Sequence, residues 1–329
     1  MNVLDIQGLR LRLPCTARPV LDGVDLTVDT RETVALVGES GSGKSLTSRS
    51  VLGLLPRGAT TEGVVRVNGD DVLTMSPEQL RHLRTDTAAM VFQDPRASIN
   101  PLRRIGDFLT ETSRRGPGGA DAAAGRAAEM LAAVGLPEST LGTYPGQLSG
   151  GMLQRVMIAG ALMGDPALIL ADEATTALDV TTQAEVVALL GDLRERFGTA
   201  LVFVTHDLGL AAAISDRVYV MYAGRIAETG PAEALFERPR HPYTAALLAS
   251  TPRLDSPRGR LAAIGGRPPS LREDLTGCPF AARCPLATEV CAERAPALLP
   301  LADEPARRAA CHHGDRVAEV TADAQQHCR

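Results

Sequence analysis

The stretch VALVGESGSGKS, residues 34–45, decides the fold of this chain. Its apolar beginning predicts a buried strand, Val34–Val37, and a helix is predicted over Lys44–Leu55. Between them, Gly38–Ser45 fits the pattern G-x-x-x-x-G-K-[ST]. Backbone N–H groups of such a loop surround phosphates, Lys44 reaches the β- and γ-phosphates, and the Ser45 hydroxyl binds Mg²⁺. We call this segment the phosphate cradle; its members are Gly38, Glu39, Ser40, Gly41, Ser42, Gly43, Lys44 and Ser45.

A second apolar strand, Ala167–Ala171, is followed directly by Asp172 and Glu173. Carboxyl ends of parallel strands are where α/β sheets bind ligands. We expect Asp172 to hold Mg²⁺ through water and Glu173 to act as general base on the attacking water. An Asp-Glu pair after a strand is common by itself, and it predicts a nucleotide site only in combination with the phosphate cradle upstream.

Strands and helices alternate on both sides of a helical insertion at about residues 101–164. This order predicts an α/β fold with a mostly parallel sheet. We expect one domain over residues 1–230 and a loop-rich second domain over residues 231–329, called the extension below. The extension is rich in Pro, Arg and Ala and has little strand pattern.

Composition limits the class of protein. The net charge of −5 argues against a basic nucleic-acid binder. No apolar run reaches the roughly 18 to 20 residues that cross a bilayer, and the first residues do not form a signal peptide. We therefore expect a cytosolic protein whose membrane contact passes through partners.

The segment LSGGM, residues 148–152, resembles the signature motif of ABC ATPases. We call Ser149, Gly150, Gly151 and Met152 the signature turn. Three further motifs resemble those of the family and occur in its order: the Q-loop with Gln93, the D-loop Ala177-Leu178-Asp179, and the H-loop with His206. The resemblance covers about residues 1–228.

The resemblance implies a P-loop core of mixed sheet, with an antiparallel amino-terminal β subdomain and an inserted helical subdomain. It implies that Gln93 senses Mg²⁺, that His206 contacts the γ-phosphate, and that the signature turn binds ATP held by an opposite subunit. Two positions depart from the family pattern: Met152 replaces Gln, and Leu13 stands where an aromatic residue would stack on adenine. Aliphatic contact at Leu13 leaves selectivity for adenine open.

The segment RPRHPYT, residues 238–244, resembles the extension of oligopeptide/dipeptide importer ATPases, a branch that also serves nickel. The resemblance implies ATP-driven import of peptides at the cytoplasmic face of the membrane. It also implies a related second ATPase subunit as heterodimer partner, two transmembrane permease subunits and an extracytoplasmic substrate-binding protein. The alternatives are import of nickel or another solute, a soluble ABC ATPase, and an iron–sulfur regulatory or redox protein.

Five of the six cysteines lie in the extension, and four of them, Cys278, Cys284, Cys291 and Cys311, have the spacing C-x₅-C-x₆-C-x₁₉-C. Four thiolates can hold zinc or a [4Fe–4S] cluster. Tight C-x₂₋₄-C pairs, common in zinc sites, are absent, and Cys-Pro occurs twice, which favours iron–sulfur. The arrangement also resembles the cluster-bearing tail of dipeptide-type importer ATPases. Zinc and unligated thiols remain alternatives, and Cys15 and Cys328 are interpreted as free cysteines.

Overall fold

The chain is described here by a computed structural model that covers residues 2–112, 119–176, 178–251 and 264–318. The strands are β1 (Asn2–Arg12), β2 (Leu21–Asp29), β3 (Thr33–Val37), β4 (Thr60–Val67), β5 (Asp70–Asp71), β6 (Ala88–Val91), β7 (Leu168–Asp172), β8 (Ala200–Thr205), β9 (Arg217–Tyr222), β10 (Arg225–Pro231), β11 (Leu299–Pro300) and β12 (Arg308–Ala309). The helices are α1 (Lys44–Val51), α2 (Pro77–His82), α3 (Pro95–Ser98), α4 (Ile105–Thr110), α5 (Gly119–Ala133), α6 (Gly150–Leu162), α7 (Val180–Phe197), α8 (Leu208–Ile214), α9 (Ala232–Glu237), α10 (Pro242–Ser250) and α11 (Glu289–Glu293). Short 3₁₀ turns lie at Val72–Thr74, Glu138–Gly142, Pro145–Gln147, Ala281–Arg283 and Gly314–Arg316, and a π turn at Leu83–Thr87.

Two sheets organise the described residues. Antiparallel strands form one sheet in the order β2-β1-β4-β5, and the larger sheet has the order β11-β12-β10-β9-β3-β8-β7-β6. Strands β9, β3, β8, β7 and β6 run parallel, while β10, β12 and β11 pair antiparallel. This mixed sheet with an antiparallel amino-terminal subdomain confirms the predicted fold class.

The parallel strands are buried along their whole length, as their sequences predict. Every residue of β3, β7 and β8 is buried, because the antiparallel sheet and α1 cover one face of the parallel strands and helices α6, α7 and α8 cover the other. Strands β3 and β7 both end next to β8, so the segments that follow them emerge at one edge of the sheet. That edge is where the predicted motif residues lie.

The region between β6 and β7 is helical, as the sequence predicts. Helices α4, α5 and α6 share an apolar core with Ile105, Met130 and Val156, all buried. Buried side chains of β7 and α7 belong to the same core. The helical region is thereby joined to the sheet through α6, the helix that carries the signature turn at its start.

The extension joins the large sheet instead of standing apart. Strand β12 pairs with β10, with Ala309 opposite Glu228, and Arg307 Nη2 lies 2.9 Å from Glu228 Oε1 with both side chains almost fully buried. Strands of two residues are too short to show an alternating pattern, which is why the sequence did not reveal them. The predicted domain limit at residue 230 falls within β10, and the division stays a prediction.

Candidate nucleotide site

The phosphate cradle connects the end of β3 to the start of α1. Gly38, Gly41 and Gly43 have φ angles of 148°, 78° and 109°, and only glycine adopts such angles without strain. A Cβ on Gly38 would lie 2.2 Å from the carbonyl oxygen of Met221. The loop can therefore pass close to β9 only because this residue has no side chain.

Two side chains inside the cradle, Lys44 and Ser42, have polar groups that can bind an anion. Lys44 Nζ donates hydrogen bonds to the carbonyl oxygens of Gly38 (2.8 Å) and Glu39 (3.0 Å). Burial lowers the pKa of Lys44, and the nearby carboxylates oppose that shift. Ser42 Oγ is buried and has no hydrogen-bond partner among the described residues, although buried hydroxyls are normally paired. A bound phosphate would satisfy both groups.

The Ser45 hydroxyl and the Asp172 carboxylate meet beside the cradle. Ser45 Oγ donates to Asp172 Oδ1 at 2.7 Å, and Arg49 Nη2 lies 3.8 Å from Asp172 Oδ2. Burial raises the pKa of Asp172, whereas the Ser45 hydrogen bond and the charge of Arg49 lower it. A half-buried hydroxyl next to a buried carboxylate gives the hard oxygen donors that Mg²⁺ prefers, so these residues fit the ion.

Side chains from the loops after β6 and β8 meet at Glu173, which follows β7. Gln93 Nε2, after β6, donates to Glu173 Oε2 at 3.1 Å, and His206 Nδ1, after β8, lies 3.8 Å from Glu173 Oε1. Thr176 Oγ1 also donates to Glu173 Oε2 at 3.3 Å. Glu173 itself has φ = 50°, a rare conformation outside glycine that tends to occur at functional sites. The structure thus brings Gln93, Glu173 and His206 together.

The signature turn lies in a different place, at the start of α6. Ser149 Oγ accepts a hydrogen bond from the Met152 backbone N–H at 3.2 Å and so caps this helix. Met152 is half-buried and packs against the helical core. Among the described residues, no hydrogen bond or ion pair joins the signature turn to the phosphate cradle. The two motifs are therefore separate in this chain, and we call them the two half-sites below.

Asp179 caps the helix that packs beside the signature turn. It accepts hydrogen bonds from Thr182 N (3.0 Å) and Thr182 Oγ1 (2.8 Å), which lower the pKa of its exposed carboxylate. The first D-loop residue, Ala177, lies outside the described residues. Asp179 and the signature turn line one shared groove with Asp94 and Arg155.

Leu13, the residue expected near adenine, is half-buried and packs against the amino-terminal apolar core. The extension also reaches this side of the cradle, because Arg18 Nη2 donates to Pro269 O at 2.9 Å and Ala17 N donates to Leu271 O at 3.0 Å. Between Arg18 and the cradle lies a crevice whose one aromatic lining residue, among the described residues, is Tyr222.

The four extension cysteines are free thiols that lie near one another. Cys278 N donates to Cys291 O at 2.7 Å, and burial raises the pKa of Cys284 and of Cys311 to about 11, with the other thiols adding to the shift. Within the described ranges, no group of three or more His, Cys, Asp or Glu side chains is placed to hold a single metal ion. The predicted cluster or zinc site is therefore not confirmed. Cys15 is exposed and free, and Cys328 lies outside the described residues.

Two contacts to the cradle come from the extension and were not predicted. Arg283 forms a two-pronged ion pair with Glu39, and the Tyr243 hydroxyl accepts a hydrogen bond from the Glu39 backbone N–H. Thr176 was also missed, although a threonine three residues after Glu173 was a visible signal. Arg283 and Tyr243 gave no such signal, because each lies more than 200 positions from Glu39 in the sequence.

Comparison with known proteins agrees with this geometry. The family described as "ABC transporter" matches residues 21–176, and "Oligopeptide/dipeptide transporter, C-terminal region" matches residues 227–291. The oligopeptide transport ATP-binding protein OppD of Salmonella typhimurium is 43% identical, over 94% of this chain and 93% of that protein. OppD of Haemophilus influenzae is 42% identical, over 88% and 91%.

Among solved structures, a dimeric ATP-binding cassette in a post-hydrolysis state with ADP and phosphate is similar. Its TM-score is 0.62 at 29% identity, over 70% of this chain and 98% of that chain. No described helix of the present chain is both long and apolar enough to span a membrane. From the matched motifs, the shared fold and the similarity over 88% to 94% of its length, the chain belongs to the ABC transporter ATP-binding proteins, in their oligopeptide/dipeptide branch.

Proposed function

We propose that this chain binds and hydrolyses ATP to energise the import of di- or oligopeptides across the cytoplasmic membrane. The observation that carries the proposal is the convergence of Gln93, Glu173 and His206 beside the Ser45–Asp172 pair and Lys44. Phosphoryl transfer needs mainly positioning and charge stabilisation, and these residues supply both.

Each residue has a role that follows from its position. Glu173 accepts the proton of the attacking water as general base, while Gln93 and His206 orient its carboxylate and the water. Lys44 and the backbone N–H groups of the cradle hold the phosphates. Ser45, Asp172 and Gln93 would hold Mg²⁺, which neutralises charge on the phosphates when bound.

The signature turn acts on a nucleotide that this chain does not itself hold. Ser149, Gly150 and Gly151 would bind the γ-phosphate of ATP in the cradle of a second ATPase subunit, with Asp179 beside that interface. The separation of the two half-sites supports this role. We propose a related ABC ATPase as the heterodimer partner, in a pair that closes on ATP and reopens after hydrolysis.

Peptide import and its partners are inferred from the branch of the family. The OppD relatives are named oligopeptide transport ATP-binding proteins, and the oligopeptide/dipeptide family model matches residues 227–291, in the extension. We propose that two permease subunits dock near Gln93 at the cytoplasmic face and that an extracytoplasmic binding protein delivers the peptide. Import of nickel or another solute is the second candidate, since the branch that this chain resembles includes importers of peptides and of nickel.

Replacement of Glu173 by Gln tests this function. In the assembled transporter, we expect Glu173→Gln to reduce ATP turnover about 10³-fold and to abolish uptake, while ATP binding persists. Glu195→Gln, on the exposed face of α7, is the control and should leave both unchanged. Peptide uptake that survives Glu173→Gln would contradict the proposal.

We further propose that Cys278, Cys284, Cys291 and Cys311 hold a [4Fe–4S] cluster. Four free thiols in one folded segment, with Cys278 and Cys291 joined by a backbone hydrogen bond, support it. Iron content and a visible absorption band of the anaerobically purified protein test this proposal. Stoichiometric zinc without iron would contradict it.

A further inference from the structure

Glu39 places a carboxylate within the loop that has to accept a polyanion. It is the second residue of the phosphate cradle, and its side chain retains 24% of its exposure. Lys44 Nζ bonds its carbonyl oxygen at 3.0 Å. An unpaired carboxylate here would repel phosphates, because like charges at such short range interact strongly in a partly buried site. Its partner therefore affects the affinity for ATP.

That partner is Arg283 of the extension. Its Nη1 lies 2.7 Å from Glu39 Oε2 and its Nη2 lies 2.8 Å from Oε1, the two-pronged geometry that makes arginine–carboxylate pairs strong. The Arg283 side chain is only 4% exposed. The guanidinium is therefore shielded from solvent, and the two hydrogen bonds fix its orientation against the half-buried Glu39 carboxylate.

Other contacts fix the guanidinium in place. Arg283 Nη1 also donates to the Tyr222 hydroxyl at 3.1 Å, and Nε donates to Gly265 O at 2.8 Å. The guanidinium lies 5.7 Å from the ring centroids of Tyr222 and Phe280. These contacts, from Gly265 and Phe280 of the extension and Tyr222 of β9, hold Arg283 in place independently of Glu39.

The extension also holds the backbone of the same cradle residue. The Tyr243 hydroxyl accepts from Glu39 N at 2.7 Å, and the Tyr243 ring is fully buried against Tyr222 and Phe280. Glu39 is thus gripped at its side chain and at its amide by two segments of the extension, Pro242–Ser250 and Ala281–Arg283.

We propose that Arg283 is a positioning residue for ATP: it neutralises Glu39 and holds the phosphate cradle in the shape that accepts the triphosphate. The extension thereby sets the nucleotide affinity of the core. The inference rests on the proposed ATPase function and adds to it a residue outside the family motifs.

Affinity of the full-length protein for ATP tests the inference. Lys44 is the only lysine in the sequence, so ATP protection of Lys44 from an amine-directed reagent, followed by mass spectrometry, yields a Kd. We expect Arg283→Ala to weaken ATP binding about tenfold and Arg283→Lys less. Arg294→Ala, at an exposed extension arginine, should change nothing.

A second substitution separates charge from folding. Glu39→Gln removes the repelling carboxylate, so Arg283→Ala combined with Glu39→Gln should recover most of the lost affinity. In the assembled transporter, Arg283→Ala should raise the KM for ATP about tenfold with kcat nearly unchanged, because Arg283 does not touch Glu173 or the attacking water.

Either of two results would overturn the inference. One is that Arg283→Ala binds ATP like the unaltered protein, and the other is that the double variant binds ATP as weakly as Arg283→Ala. Lys44→Ala, measured by equilibrium dialysis with ATP, separates the two proposals: lost binding in Lys44→Ala with normal binding in Arg283→Ala would refute only this inference. Normal binding in Lys44→Ala would refute the proposed function itself.

Discussion

The phosphate cradle and the signature turn have similar backbone structures but different side chains around them. Both are glycine-containing turns at the start of a helix, α1 and α6, where backbone N–H groups favour anions. The cradle is surrounded by charged groups of its own chain, with Lys44 inside it and Asp172 and Glu173 beside it. The Ser149 hydroxyl instead caps its own helix, in a groove that Arg155 and Asp179 also line.

The difference shows which half of the reaction each turn can serve. A triphosphate bound in the cradle would meet a cation, oxygen donors for Mg²⁺ and a general base without any other molecule. The signature turn also favours anions, but it contains no counterpart of the Lys44 side chain and no general base. A single chain therefore has one site with the groups that ATP binding requires and a second turn without them, which agrees with the proposed contact of that turn with another chain.

Loss of Lys44 should give the largest effect on the cradle. Lys44→Ala removes the charge that contacts the phosphates, and we expect ATP affinity to fall about 10²-fold or more. Equilibrium dialysis with ATP measures it. Arg49→Ala, at a neighbouring position of α1 that pairs with Asp172 at 3.8 Å, should have a much smaller effect. Equal effects of the two variants would show that general charge near the site, and not contact by Lys44, determines binding.

The signature turn gives a smaller but more selective effect. A Cβ on Gly150 would meet only Leu178 Cδ2 at 3.7 Å, so Gly150→Ala fits within its own chain. We expect ATP turnover of the assembled transporter to fall roughly 10- to 50-fold, while the isolated chain binds ATP normally. Gly191→Ala, where a Cβ meets nothing within 4 Å, is the control.

Gly151 sharpens that experiment. A Cβ there would lie 2.8 Å from Thr182 Cγ2, so Gly151→Ala should lower the stability of the fold as well as turnover. If Gly150→Ala weakens ATP binding by the isolated chain, the two half-sites are not separate and the comparison fails.

The smallest expected effect concerns the cradle's support by the extension. Burial lowers the pKa of His241 to about 4 from 6.5, and its Nδ1 accepts from Tyr243 N at 3.0 Å. Between these values the unfolded chain binds more protons than the folded one, so stability falls as pH falls below about 6.5. We expect a loss of about 1 kcal/mol between pH 7 and pH 5.5.

Urea unfolding at both pH values measures this loss. His241→Gln removes the titrating group and should flatten the pH dependence attributable to it. An unchanged slope in that variant would contradict the assignment to His241.

Local pattern predicted the cradle and the Asp172–Glu173 pair, because spacing along a strand and a helix fixes where such residues point. The order of the motifs, through the family resemblance, predicted that Gln93 and His206 belong with Glu173. The end of α1 was predicted too late: the helix stops at Val51 instead of Leu55, because Gly53 at φ = 63° ends it before Pro56.

Long-range contacts of the extension could not be predicted in this way. Arg283 and Glu39 are 244 positions apart, and the local sequence around neither residue predicts their contact. The pairing of β12 with β10 rests on two residues, too few for a periodic signal. Tertiary packing alone decides these contacts.

Closure of two ATPase subunits on ATP is the central claim, and its most direct measurement is nucleotide-dependent association of the Glu173→Gln chain with its partner ATPase, followed by analytical ultracentrifugation. The account predicts a closed pair with ATP, none with ADP, and none with ATP once Ser149 and Gly150 and their counterparts in the partner are replaced. Association that is equal with ATP and ADP, or that survives those replacements, would contradict it.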